Sequence, residues 1–109
     1  MRLWVFTCLM TIGMVAPSAR PVVTISEIDS NQPGSDAAEF IELYDGGAGE
    51  TSLDGITLVL FNGDTDSAYL VISLDGRETG EDGFFVVGNP GLTPPADLTL
   101  ATGVLQNGP

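Results

Sequence analysis

The sequence has no histidine and no lysine, and Cys8 is its single cysteine among 109 residues. The usual general base and Schiff-base amine are therefore absent, and Cys8 would be the one thiolate nucleophile. Basic residues are scarce, since three arginines accompany 15 acidic side chains and the net charge is −12. Lys and Arg bind phosphate backbones and anionic membranes, so we expect neither nucleic acid nor a membrane surface as a partner.

The sequence also lacks an apolar run of the ~20 residues that a membrane-spanning helix needs. Its longest run, residues 3–15, follows Arg2 and precedes small residues, which is the pattern of a secretory signal peptide. We therefore predict a signal over residues 1–19, cleaved near Ser18 or Ala19, and a secreted domain over residues 20–109. A buried N-terminal helix is the alternative.

Removal of that signal would leave no cysteine, because Cys8 lies inside it. No Asn-X-Ser/Thr glycosylation site follows either. Small exported domains often depend on disulfides. This one must instead be stabilised by its core, by ions or by partner chains.

What the sequence does contain is a series of apolar segments separated by turn residues. β-Branched and alternating residues favour strands over helices, and the short spacing predicts an all-β antiparallel sandwich or barrel. In the second segment, Ile41 and Leu43 share one face, which we predict to be the core. The predicted strands are residues 21–28, 39–44, 56–61, 68–74, 83–88 and 97–104, the fifth being an interior strand.

Four of these blocks, in their order and spacing, resemble the lamin-tail domain, and more its secreted branch than the nuclear lamins. The resemblance covers about residues 22–109 and implies an immunoglobulin-like β-sandwich in extracellular proteins, sometimes beside nucleases or phosphatases. The blocks are Ile25-Ser26-Glu27-Ile28, Ala38-Glu39-Phe40-Ile41-Glu42-Leu43-Tyr44, Leu53-Asp54-Gly55-Ile56-Thr57-Leu58 and Gly83-Phe84-Phe85-Val86-Val87-Gly88.

The chain departs from that family pattern at two places. Ile56 stands where the family usually has an aromatic residue. In the family, the stretch that resembles Leu105 to Gly108 is followed by one or two further strands. We therefore expect a sandwich that is missing its last one or two strands, with an open edge that promotes weak folding or self-association.

Carboxylates are the remaining candidates for catalysis, and none forms a convincing pair. Glu39 and Glu42 are an odd number of residues apart, so a strand directs them to opposite faces. Glu81 and Asp82 are neighbours in a predicted turn. We therefore predict no catalytic residues and no enzyme activity.

Calcium is the one cofactor that the pattern suggests, because an acidic secreted chain offers hard oxygen ligands. The best cluster is Asn62, Asp64 and Asp66, and Asp29 and Asn31 form a weaker one. An EF-hand loop would have glycine at position 67 and glutamate at position 73, and both positions are serine. Hairpin turns select Asn, Asp and Gly for backbone reasons, so a turn is the favoured explanation.

The sequence thus predicts a non-catalytic secreted interaction or adhesion module. Its partner would be another protein, or a second copy, bound through an open sheet edge. Two alternatives are an accessory domain of an extracellular nuclease or phosphatase and a calcium-binding extracellular module.

Overall fold

The computed structural model describes residues 13, 14, 16, 19–34 and 36–106. Most of the predicted signal peptide lies outside the described residues, which include only its positions 13, 14, 16 and 19. Residues 107–109 also lie outside them. The described residues form strands and no helix. The strands are β1 (Thr24–Asp29), β2 (Phe40–Tyr44), β3 (Thr57–Asn62), β4 (Ser67–Ser73), β5 (Phe84–Gly88) and β6 (Leu98–Thr99).

The strands form two sheets, one with the order β1-β2-β5-β6 and one made of β3 and β4. This confirms the prediction of an all-β, sandwich-like fold. Three pairings are antiparallel, as expected, but β6 runs parallel to β5. A parallel neighbour requires a connection that returns the chain to the same end of the sheet, and residues 89–97 provide it.

The core lies between the two sheets. Ile41 and Leu43 of β2 are buried, which confirms the predicted core face, and β5 is an interior strand between β2 and β6. Leu53 and Leu74 lie outside the strands but are fully buried. Each such side chain contributes about 1.5–3 kcal/mol through its burial. The buried apolar residues are Ile41, Leu43, Leu53, Leu58, Leu74, Phe85, Val87 and Leu105.

The final element is shorter than its alternating pattern predicts. β6 contains two residues, although Leu100 still donates its N–H to the Gly88 carbonyl at 2.7 Å. Gly103 has a φ of +75° in a turn, a conformation that glycine adopts without steric cost and that ends an extended segment. The turn directs Leu105 into the core.

Candidate interaction surface

The predicted calcium cluster lies in the hairpin turn between β3 and β4. The Asn62 Oδ1 atom accepts hydrogen bonds from the N–H groups of Asp64 at 2.9 Å and Thr65 at 3.2 Å. Asp66 has a φ of +51°, which Asp tolerates in turns. These contacts explain the residue types as turn chemistry, with the Asn62 oxygen engaged by backbone donors.

The weaker candidates belong to the loop after β1. Asp29 accepts hydrogen bonds from the Asn31 N–H at 3.4 Å and from the Gln32 Nε2 atom at 3.2 Å. Gln32 also donates to the Ala38 carbonyl at 2.6 Å and accepts from the Ala38 N–H at 3.1 Å. Gln32 therefore holds both ends of the loop together, a role that sequence reasoning missed.

The carboxylates considered for catalysis are separated. Glu42 accepts a hydrogen bond from the Ser26 hydroxyl at 2.7 Å, whereas Glu39 is fully buried against Asn89. Asp82 accepts the Phe84 N–H at 3.1 Å within its turn. The burial of Glu39 was not predicted, although its position two residues before Ile41 assigns it to the core face.

Asp45 is a second buried carboxylate, and it organises the loop after β2. It accepts hydrogen bonds from the N–H groups of Gly47, Ala48 and Gly49, each at 3.0 Å, and from the Thr79 hydroxyl at 2.7 Å. Burial raises the Asp45 pKa, but hydrogen bonds from Thr51, Thr79, Gly49 and Gly47 outweigh it and lower the pKa from 3.8 to about 2. All of its partners are structural, so Asp45 serves the fold.

Two Asp-Gly turns stabilise each other in the same way. The Gly76 N–H donates to the Asp54 carboxylate at 2.6 Å, and the Gly55 N–H donates to the Asp75 carboxylate at 2.7 Å. The hydrogen bond from Gly76 is the main reason why the Asp54 pKa is lowered. These aspartates are therefore engaged in turn structure.

The surface that stands out is the inner side of β1. Strict alternation would place Ile25 and Ile28 on opposite faces, because they are three residues apart. A register shift between Ile25 and Glu27 leaves Ser26 as an extra residue, so Ile25 lies opposite Leu43 and Ile28 lies opposite Ile41. Both isoleucines therefore follow the core face of β2.

These two isoleucines are nevertheless 53% and 58% exposed. Within the described residues, β1 pairs with β2 and β3 pairs with β4, which leaves one edge of each strand open. A groove of about 220 Å³ lies between them, and none of the described residues that line it is charged. We call it the β1–β3 groove, and it is lined by Ile25, Ile28, Ser30, Ile41, Leu58, Val59, Leu60, Phe61, Tyr69, Leu105 and Gln106.

One end of the groove is held by polar contacts. The Asn62 Nδ2 atom donates to the Gln106 Oε1 atom at 2.9 Å, and the Gln106 N–H donates to the Tyr69 hydroxyl at 3.3 Å. These bonds attach the segment after Leu105 to the β3–β4 hairpin. The rest of the groove is an open apolar surface beside two strand edges that no described strand pairs with.

The fold and this groove define an all-β sandwich with an exposed apolar edge. Comparison with known proteins adds no relative: no family model, no curated protein and no solved structure matches the chain. The part of the chain that the structure describes contains no helix with the length and apolar character to cross a membrane. Nor do the described residues bring three or more His, Cys, Asp or Glu side chains together as metal ligands.

Proposed function

We propose that this chain is a non-catalytic, secreted interaction module of the lamin-tail type, which binds an extended segment of a partner protein in the β1–β3 groove. The exposure of Ile25 and Ile28 on the inner face of β1 carries the proposal. Apolar side chains on a core face are normally covered by the opposite sheet. Here a strand supplied by a partner would cover them.

The free edges favour an extended ligand over a folded one. Strand addition gains affinity from main-chain hydrogen bonds and specificity from pockets for alternate side chains. The open edge of β3 offers the hydrogen bonds, and the groove offers an apolar surface for the side chains on one face of the ligand. A short segment of alternating apolar residues fits both requirements.

Charge indicates what should flank that segment. The groove walls are uncharged, but the chain as a whole has a net charge of −12. Such a field attracts basic partners and accelerates their association, whereas it repels a second copy of the same chain. We therefore propose an apolar strand flanked by Lys or Arg, in a different protein.

The test uses fluorescently labelled peptides with alternating valine and threonine, flanked by either lysines or glutamates, and measures binding by anisotropy. The lysine-flanked peptide should bind, and Ile28→Asp should weaken it about tenfold or more, because a charge is then buried in an apolar groove. Val71→Asp is the matched control, since Val71 is 62% exposed and lies outside the groove.

Circular dichroism of both variants verifies that they fold. Equal weakening by the two substitutions would place binding elsewhere on the surface. Failure of every alternating peptide to bind the folded wild-type chain would contradict strand addition.

A further inference from the structure

Away from the groove, two buried polar side chains meet beside the main sheet. Glu39 directly precedes β2 and Asn89 directly follows β5, and both are 0% exposed. The Asn89 N–H donates to the Glu39 carbonyl at 2.9 Å, which extends the β2–β5 ladder by one step. The Asn89 Nδ2 atom donates to the Glu39 Oε2 atom at 3.2 Å and to the Asp36 carbonyl at 3.0 Å.

These contacts leave two oxygens without a donor among the described residues, Glu39 Oε1 and Asn89 Oδ1. The orientation of the Asn89 amide is determined by its partners, because its nitrogen faces two oxygen acceptors. A flipped amide would set an oxygen against both. The two unpartnered atoms are therefore both acceptors, and a donor or a cation must complete the site.

Leaving this site uncompensated would be costly. A buried carboxylate needs a charge partner and hydrogen bonds, and Glu39 receives one such bond. The chain has no lysine or histidine, and the two described arginines, Arg20 and Arg77, are exposed. A positive charge at Glu39 must therefore come from outside the described side chains.

We propose that Glu39 Oε1 and Asn89 Oδ1 bind one small, hard cation. Carboxylate and amide oxygens are the ligands that such ions prefer, and the described residues include neither a cysteine nor a histidine that would favour a softer metal. Metal–oxygen distances of about 2.3–2.6 Å for Ca²⁺ are shorter than the ~2.7–3.0 Å of a water hydrogen bond. An ion therefore approaches its oxygen ligands more closely than a water molecule does.

The backbone around this pair is closely packed, which would hold the two oxygens in position. A Cβ atom on Gly88 would lie 2.8 Å from the Glu39 carbonyl oxygen. One on Gly91 would collide with the Ala37 carbonyl oxygen. Rigid surroundings reduce the entropy that ion binding must overcome.

Charge balance suggests which ion binds better. Among the described residues, Glu39 Oε1 is the buried carboxylate oxygen that has no hydrogen-bond partner, and no group of three or more His, Cys, Asp or Glu side chains could hold a metal ion. Na⁺ neutralises one carboxylate, whereas Ca²⁺ would leave excess positive charge in a buried site. We expect Na⁺ to stabilise the wild-type fold, and an added carboxylate in Asn89→Asp to shift the preference to Ca²⁺.

The experiment measures melting temperatures in choline chloride and after replacement by NaCl or CaCl₂ at equal ionic strength. An ion at about ten times its Kd should raise the melting temperature by about 5–10 °C. Glu39→Gln should abolish this increase. Glu42→Gln should retain it, because Glu42 lies on the other face of β2 beside Ser26.

Each outcome decides the proposal. A higher wild-type melting temperature with either ion, lost in Glu39→Gln, supports the site. The ion that raises the melting temperature more is then the preferred occupant. Equal melting temperatures in all three salts for the wild type would overturn it, whether or not the variants fold. A wild type that melts like Glu39→Gln in every salt would show that Glu39 holds no cation and would also overturn the proposal.

Discussion

At the scale of single residues, two of the acidic side chains, Glu39 and Asp45, are buried and hydrogen-bonded instead of being solvated in turns. Asp45 binds three backbone N–H groups and one hydroxyl, so its ionised form is favoured in the folded state. The Asp45-Gly46 pair in the sequence predicts a turn, but it does not predict that the Asp45 carboxylate accepts four hydrogen bonds. The Thr79 hydroxyl is supplied from a loop 34 positions away.

This engagement predicts an acid-dependent loss of stability. The folded-state pKa of Asp45 is lowered to about 2, below the ~3.9 of an unfolded aspartate. The contribution of ionised Asp45 to the free energy of unfolding is therefore fully present above about pH 4 and is lost as the pH falls towards 2. Asp45→Asn should reduce the stability difference between pH 5 and pH 2.5, measured by urea unfolding. Asp64→Asn, in the exposed hairpin turn, is the control and should leave that difference closer to the wild-type value.

At the scale of elements, the connections decide the arrangement more than the strands do. The loop after β2 lies along the loop before β5. The Glu50 backbone N–H donates to the Gly80 carbonyl and the Asp45 backbone N–H donates to the Gly83 carbonyl, both at 3.0 Å. Ser52 and Glu78 form an isolated antiparallel bridge beside them. These two loops therefore act as a short additional ladder across the end of the sandwich.

The closeness of these loops predicts that Gly83→Ala is strongly destabilising. A Cβ at Gly83 would collide with the Asp45 carboxylate, and its φ of +86° also disfavours alanine. Gly55→Ala is a matched control, because its φ is +79° but no atom lies within 4 Å of the added Cβ. We expect the control to cost about 1–2 kcal/mol from backbone strain alone and Gly83→Ala to cost more. Equal free energies of unfolding for the two variants would contradict the predicted collision.

The elements also show where alternation succeeds and fails as a predictor. The period-two alternation alone predicts that Ile41 and Leu43 face the core, and the structure confirms that both are buried. The alternation rule fails in β1, where the bulge at Ser26 places Ile25 and Ile28 on the same face. It also fails after Thr99, where a turn at Gly103 interrupts a period-two pattern. Both failures arise from backbone irregularities, and a hydrophobic pattern does not encode where a strand gains or loses a residue.

At the scale of the whole molecule, charge opposes the association that the apolar surfaces promote. The net charge of −12 keeps copies apart, while apolar surface is exposed in the β1–β3 groove, which includes Val59 and Phe61, and at Val71 on the β3–β4 hairpin. The balance depends on ionic strength, because the Debye length falls from about 30 Å at 0.01 M to about 3 Å at 1 M.

We therefore expect self-association to increase with salt. Size-exclusion chromatography at neutral pH should show a larger fraction of dimers or higher oligomers in ~0.5 M choline chloride than in ~0.01 M, since screening removes the repulsion. Choline avoids occupation of the proposed cation site. Ile28→Asp should reduce the salt-induced fraction if the groove is the contact. An elution volume that does not change with salt would contradict this prediction.

The sequence by itself determined the all-β class, the core face of β2, the interior position of β5 and the acidic character that disfavours anionic partners. Those properties follow from composition and from the period-two repeat, which act locally along the chain. The tertiary structure decided the parallel pairing of β6, the exposed β1–β3 groove and the burial of Glu39 against Asn89, 50 positions away. These features depend on which distant segments meet, and that is set by sheet order and loop contacts rather than by any local pattern.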